Sequence, residues 1–299
     1  MVKESLMSTL FVLLQTIAPQ HLISFLAGKL ADGKLFKNQL IRLFVRRYNV
    51  DLSESKIEDI HQFENFNAFF TRELKPGARP TANDSGAILC PADGAISQLG
   101  LISNHNLLQA KGRFFSLDAL LGGESKLAAQ FQEGCFATVY LSPRDYHRVH
   151  MPLSGRLLKM IYIPGRLFSV NRTTAEKVPG LFSRNERVVC LFQTDAGPMA
   201  VILVGAMIVS GIETIWSGQV GRTASTGAIR STDYSEHSPP IEIAGGSEMG
   251  RFKLGSTVIV LFAHGAITLE TDLKAQTPVR MGQLLGRTQG NDTDVETPD

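Results

Sequence analysis

The chain has 299 residues, 43% of them hydrophobic, and a formal charge of only +2, so it can fill one large core and carries none of the bulk charge of a nucleic-acid-coating or disordered protein. Its three cysteines, Cys90, Cys135 and Cys190, are odd in number, far apart and outside any Cys-x-x-Cys spacing, which argues against a disulfide framework or zinc site and for a reducing compartment.

The charge is unevenly spread. Residues 1–50 hold Lys3, Lys29, Lys34, Lys37, Arg42, Arg46 and Arg47 against Glu4 and Asp32, so this end is net positive. The apolar stretch from Leu6 to Ile17 is interrupted by Ser8, Thr9 and Gln15. It falls short of the roughly 20 residues needed to cross a bilayer, and no small-residue cleavage site follows it. From Pro19 to Leu30, Leu22, Ile23, Leu26, Ala27 and Leu30 recur at helical spacing, and Phe36, Leu40, Ile41, Phe44 and Val45 make the face of a second helix with Lys37, Arg42, Arg46 and Arg47 around it. That composition suits a helix lying on an anionic membrane surface; equally, such helices can simply cover the body with their charges solvated. A third helix is expected from Ile57 to Leu74.

Lys75-Pro76-Gly77-Ala78-Arg79-Pro80 stops helical structure and marks a boundary, giving a helical region 1–74 and a body 75–287. Closely spaced strand runs follow at 87–90, 94–99, 135–141, 155–163, 187–193, 199–208, 212–216, 257–262 and 266–271, with short helices at 116–121 and 124–130. The fold class expected is α+β: N-terminal amphipathic helices, then a β-rich body of antiparallel or mixed sheet, barrel- or sandwich-like. Residues 288–299, with Val295 as their one aliphatic side chain, read as a disordered tail.

Three places carry candidate chemistry. In Gly250-Arg251-Phe252-Lys253-Leu254-Gly255-Ser256-Thr257 a Gly-Ser bond precedes an apolar strand. Either Gly255 supplies a bend and Ser256 bonds locally, or the Ser256 hydroxyl attacks the unhindered carbonyl of Gly255, held in one geometry by the strand. His147 and His150 stand between Pro143 and Pro152, in what reads as a loop or short turn, three apart, a spacing that would put both on one side of a helical turn. A third metal ligand is missing nearby, so no metal is expected. Asp93, in Pro91-Ala92-Asp93-Gly94, is either plain turn chemistry or the carboxylate that orients a histidine.

The chain resembles the phosphatidylserine decarboxylases of the bacterial, membrane-associated type. Besides the three segments above, the motifs that carry the resemblance are Phe69-Phe70-Thr71-Arg72-Glu73-Leu74-Lys75, Phe114-Phe115-Ser116-Leu117 with Leu120-Leu121-Gly122, Pro164-Gly165-Arg166-Leu167-Phe168-Ser169-Val170-Asn171, Asn185-Glu186-Arg187 and Val204-Gly205-Ala206. One departure is Gly245-Gly246, where the family usually has lysine-glycine.

The resemblance implies that Asp93, His150 and Ser256 act as a relay for self-cleavage at Gly255-Ser256, leaving a β subunit (1–255) and an α subunit from 256. It implies a covalent pyruvoyl cofactor derived from Ser256, which forms a Schiff base with phosphatidylserine, and His147 as the decarboxylation histidine. Phe114 and Phe168 are candidates for pocket walls. It further implies phosphatidylethanolamine as product, an anionic membrane surface as partner, a homo-oligomer, and a peripheral position on the cytoplasmic side of the cell membrane. No nucleic-acid partner is expected, because the basic excess lies on helices with apolar faces. Two other readings compete: a hydrolase, which requires an intact chain and a Gly-x-Ser-x-Gly elbow, and a non-enzymatic membrane scaffold.

Overall fold

The computed structural model describes residues 2–207, 211–221, 227–253 and 256–289. Four helices come first: α1 (Val2–Ile17), α2 (Gln20–Asp32), α3 (Lys37–Tyr48) and α4 (Phe66–Phe70). Then come β1 (Ala87–Leu89), β2 (Gly94–Leu101), β3 (Asn106–Ala110), β4 (Arg113–Ser116), α5 (Leu117–Leu120), α6 (Ser125–Ala128), β5 (Cys135–Leu141), β6 (Arg148–His150) and β7 (Gly155–Ile163). Next are α7 (Arg172–Lys177), α8 (Leu181–Arg184), β8 (Arg187–Thr194), β9 (Gly197–Gly205), β10 (Gly211–Thr214), β11 (Gly218–Val220), β12 (Arg230–Asp233) and β13 (Glu242–Ile243). The chain closes with β14 (Glu248–Lys253), β15 (Ser256–Phe262), β16 (Ile267–Leu269), β17 (Pro278–Val279) and β18 (Leu284–Thr288).

The body is a sandwich. A nine-stranded sheet runs β12-β7-β8-β9-β15-β5-β2-β17 with β13 beside β7, a four-stranded sheet runs β11-β10-β14-β6, and β1-β18-β16 form a third. Every pairing between these strands is antiparallel, and none of the described sheets closes into a barrel. Seven consecutive residues of β15 are buried, because both of its edges are paired and both of its faces are covered. Val258, Val260 and Phe262 pack with Val149, Ile212 and Phe252 of the small sheet. Ile259 and Leu261 point the other way, into a core with Phe115, Leu117, Leu120 and Phe182. A strand buried on both faces is apolar continuously rather than alternately, which is the pattern Ser256–Phe262 shows.

The third helix is shorter than the sequence predicts. Of residues 57–74 only Phe66–Phe70 are helical, capped by the Asn65 side chain, which accepts from the Ala68 amide at 2.8 Å. Residues 73–75 run extended against 54–56, with Lys56 N donating to Glu73 O and Lys75 N to Glu54 O. The recurring phenylalanines build an aromatic cluster instead of a long helical face: Phe63, Phe66, Phe69 and Phe70 are buried together, with Phe44 of α3 edge-on to three of them. A second correction concerns the histidines. His150 lies in a strand and His147 just before it, so the helical turn that the spacing suggests does not form. As for the expected tail, Thr288 pairs with Ile267 as the last strand residue, and 290–299 lie outside the described residues.

Helices α1 and α2 are amphipathic, with polarity reversed relative to a core helix. Leu10, Leu13, Leu14, Ile17, Leu22 and Leu26 are more than half exposed, whereas Gln15, Gln20 and Ser24 are buried. The inward glutamines accept backbone N–H bonds from Ser169 (2.7 Å) and Leu167 (2.8 Å), and Arg166 donates to the Thr16 carbonyl at 2.7 Å. Polar contacts thus dock the pair onto the 165–169 segment and leave its apolar face outward.

Because Leu261 is fully buried in mid-strand, Leu261→Ala is expected to lower unfolding free energy by about 2–5 kcal/mol, read as a shifted urea midpoint with unchanged slope.

Candidate active site

Ser256 is the first residue of β15, paired with Leu141 on one side and Gly205 on the other. The Gly205 carbonyl accepts from Asn185 Nδ2 at 2.9 Å and its amide donates to Glu186 O at 2.8 Å, so the strand beside Ser256 is itself pinned. The two-residue strand period puts Ser256 in phase with Val258 and Val260, toward the small sheet. Its side chain is fully buried, and Oγ has no hydrogen-bond partner. Since an unpaired buried hydroxyl costs roughly 1–3 kcal/mol, this serine is not there for local bonding. Strand β14 ends in the small sheet at Lys253 and β15 opens in the large one at Ser256, so the chain changes sheets between them. Leu254 and Gly255 lie outside the described residues.

His147 is also fully buried. Its Nδ1 lies 2.8 Å from the Asp145 carbonyl. A carbonyl only accepts, so Nδ1 carries the proton and Nε2 presents a bare lone pair, which has no partner. Burial lowers the ring's pKa to about 3, helped by the charge of Arg72 and opposed by the Asp145 carbonyl. The ring lies 4.0 Å from that of Phe70, and the His147 carbonyl accepts from the amide of Phe252, four residues before Ser256. One corner of the sandwich therefore holds a buried donor without an acceptor and a buried acceptor without a donor.

His150 is placed differently. Val149 points into the sandwich core, so His150 faces the other side of β6, where it lines a cavity of about 310 Å³ with Tyr146, Arg148 and Glu248. Its Nδ1 donates to the Gly246 carbonyl at 2.7 Å, and its Nε2 accepts from the Tyr146 hydroxyl at 3.1 Å. Burial lowers its pKa, while the Gly246 bond and the charges of Glu248 and Asp93 pull the other way. Gly246 has φ +78, a left-handed conformation that favours glycine, and is the position of the family's lysine-glycine pair that this chain keeps.

Asp93 is buried and fully engaged. Its carboxylate accepts from Arg79 Nε at 2.9 and 3.0 Å and from the Met281 amide at 2.9 Å. Arg79 also reaches Glu54 at 2.8 Å; burial alone would depress its pKa, and its bonds to Asp93 and Glu54 more than reverse that. No hydrogen bond joins Asp93 to His150, or either of them to Ser256. Asp93 lines a cavity of about 520 Å³ adjoining that of His150, with Leu74, Arg79 and Tyr146 common to both walls. Among the described residues no group of three metal-ligating side chains converges. Of the two expected wall residues, Phe168 is buried in the second core and Phe114 is exposed on β4.

Sequence reasoning passed over Arg79, Tyr146 and Arg72. Tyr146 lies inside the histidine motif, the only signal it had. Arg79 was hidden in a segment legible only as a helix stop.

The serine opens a strand instead of turning from strand into helix, so the hydrolase elbow is absent. A family model described as phosphatidylserine decarboxylase matches residues 66–287, and one described as PSD matches residues 10–49. A phosphatidylserine decarboxylase proenzyme of Ectopseudomonas mendocina is 59% identical over 283 residues, 94% of this chain and 98% of the relative. Proteins of the same name from Pseudomonas aeruginosa PAO1 and Pseudomonas putida GB-1 are 58% and 57% identical, covering 92% and 93% of this chain and 96% and 97% of their own. These relatives make the chain a carboxy-lyase. The chain belongs to the phosphatidylserine decarboxylase family.

The buried neutral His147 has a measurable consequence. Its ring titrates near 6.5 when unfolded and near 3 when folded, so between these values the unfolded chain binds the extra proton and stability falls as pH falls. Unfolding free energy measured from pH 7 to 4 is expected to decline more steeply in the native chain than in His147→Gln, by up to about 1.4 kcal/mol per pH unit. Parallel slopes would mean that the ring is not held neutral.

Proposed function

We propose that the chain is made as a proenzyme, cuts itself between Gly255 and Ser256, and then removes CO₂ from phosphatidylserine to leave phosphatidylethanolamine. The observation that carries this reading is the Ser256 hydroxyl, buried and bonded to nothing at the mouth of a fully paired strand. The relatives' name, phosphatidylserine decarboxylase proenzyme, supports both halves of it.

In the self-cleavage step Oγ of Ser256 attacks the Gly255 carbonyl, and the peptide bond is exchanged for an ester. Loss of the Ser256 α-proton then expels the Gly255 carboxylate, and hydrolysis of the resulting dehydroalanine releases ammonia and leaves a ketone at the new terminus. His150 takes the hydroxyl proton and Asp93 favours its protonated form. In the arrangement described, that influence acts through charge and not through a hydrogen bond, since Arg79 and Tyr146 occupy the two groups. His150 faces away from the core that Ser256 enters, so maturation requires it to release Tyr146 and the Ser256 end of β15 to shift toward it.

A pyruvoyl group at 256 supplies a conjugated carbonyl that draws off the electrons left when CO₂ departs, chemistry no encoded side chain offers. His147 fits a site of this kind, because its Nε2 is a buried acceptor awaiting a proton. Being neutral, it takes a proton before giving one: it accepts the proton shed by the substrate ammonium and returns it to the carbon that loses CO₂. Its dry surroundings, with Phe70 across the ring, exclude water from that exchange.

The substrate is a lipid, and α1–α2 offer the surface that meets it. No single described helix is long and apolar enough to cross a membrane; the bent pair Thr9–Ile17 and Gln20–Asp32, at 85°, meets that requirement only jointly. We place this pair in the interface plane of an anionic membrane on its cytoplasmic side, apolar face down. Lys29, Arg42, Arg46 and Arg47 each add on the order of 1 kcal/mol near such a leaflet, while Lys34 is paired with Glu64 and Lys37 donates to the His61 and Phe63 carbonyls.

Denaturing electrophoresis with intact-mass analysis tests the maturation. The native chain is expected as two fragments, 1–255 and 256–299, the shorter one blocked to N-terminal sequencing. Ser256→Ala, His150→Ala and Asp93→Ala are expected to stay whole, and an uncut chain with full decarboxylase activity would end the proposal. His147→Ala is expected to cleave and yet release no CO₂; normal turnover would remove its role. For the membrane, Leu13→Glu with Leu26→Glu should abolish co-sedimentation with anionic vesicles while leaving self-cleavage intact, and undiminished binding would refute the placement.

A further inference from the structure

The 520 Å³ cavity contains an arginine that no described carboxylate pairs with directly, although Asp93 and Asp145 favour its charge from a distance. Arg72 is 6% exposed, and its guanidinium lies 5.7 Å from the centre of the Phe69 ring. Nη2 donates to the Arg144 carbonyl at 3.2 Å, Nε is buried without a partner, and Nη1 donates to no described residue. The carboxylates around it have nearer partners. Asp93 is held by Arg79 and the Met281 amide, Glu54 is shared between Arg79 and Arg280, Asp145 accepts from the Ser142 amide and lies 3.9 Å from Arg144, and Asp51 accepts from the Ser53 amide. Arg72 itself forms no ion pair with a described carboxylate. A buried charge without a counter-ion is costly, and burial here disfavours the charged form of the guanidinium. Such a cost is tolerated where a ligand brings the opposite charge.

We infer that Arg72 is the anchor of a phosphate subsite and takes the phosphodiester of the serine phospholipid headgroup. This rests on the function proposed above. Arg72 acts electrostatically on His147 and is two residues from Phe70, whose ring packs on that histidine, so the subsite adjoins the reacting end of the substrate. The headgroup carries two anions, the carboxylate and the phosphate. Pairing the carboxylate with a buried arginine would stabilise the ground state and weaken as CO₂ leaves, which opposes the reaction. The phosphate keeps its charge from substrate to product, so pairing it fixes the headgroup without penalising the step. An arginine fork also matches phosphate oxygens bidentately, as a lysine cannot.

The test uses the full chain in detergent, the native protein beside Arg72→Gln and Arg72→Lys, with dihexanoyl phosphatidylserine as substrate. Both variants are expected to self-cleave. Arg72→Gln should raise KM about tenfold or more with kcat within about threefold, and Arg72→Lys should recover part of the loss. Binding of inorganic phosphate, followed by ³¹P line broadening, should be lost in Arg72→Gln. An unchanged KM in matured Arg72→Gln overturns the assignment; with phosphate binding also lost, the cavity takes free phosphate and not the headgroup. If Arg72→Gln fails to fold or mature, Arg72→Lys decides alone, and an unaltered KM overturns the inference. A native chain that binds phosphate through Arg72 but never decarboxylates the lipid would sink the functional reading and leave the anion site standing.

Discussion

The arrangement depends on β15 being paired on both edges and covered on both faces. Backbone bonds to β5 and β9 fix the first residue of that strand as firmly as the middle ones, and the packing of Val258 and Ile259 on opposite faces prevents any slip in register. The Ser256 main chain is thus immobilised while its hydroxyl is left unsatisfied. A nucleophile that must reach an adjacent carbonyl gains most from such a combination, since the ordering is done during folding and the hydroxyl is left free to attack.

The same corner explains why the two histidines differ. Both have a proton on Nδ1, fixed by a backbone carbonyl: Asp145 for His147 and Gly246 for His150. Their Nε2 atoms therefore point lone pairs at their surroundings. His147 meets an apolar enclosure and a nearby arginine, and His150 meets a tyrosine and a carboxylate-bearing cavity wall. Identical tautomers in unlike environments give one ring whose burial holds it neutral to about pH 3 and one whose pKa burial also lowers, but against the opposing charges of Glu248 and Asp93. That division suits two successive proton transfers in different directions.

Much of the body was legible because its strands are buried on both faces. Cys135–Leu141 was read with its actual bounds because a nearly continuous apolar run admits few alternatives, and Gly155–Ile163, less buried, because glycine and proline mark its two ends. Phe63, Phe66, Phe69 and Phe70 misled because aromatic residues at helical spacing satisfy an interlocking cluster as readily as a helix face. The Arg79–Asp93 pair joins residues 14 apart with no periodicity to mark it. Spacing could not show that Asp93 spends its hydrogen bonds on Arg79 and not on His150.

Helical periodicity in residues 10–30 identified an apolar face but was silent on which side the body takes. The protein settles this with two glutamines, whose side chains bond backbone amides at Leu167 and Ser169 and so put the polar side inward. A glutamine turned inward is useful only where the facing backbone has free N–H groups, and the irregular 165–169 segment supplies them where a finished strand would not. An irregular loop in the body is thereby what turns the leucines of α1 and α2 outward. The leucines of α1 and α2 are thus exposed although no single described helix is long and apolar enough to span a bilayer.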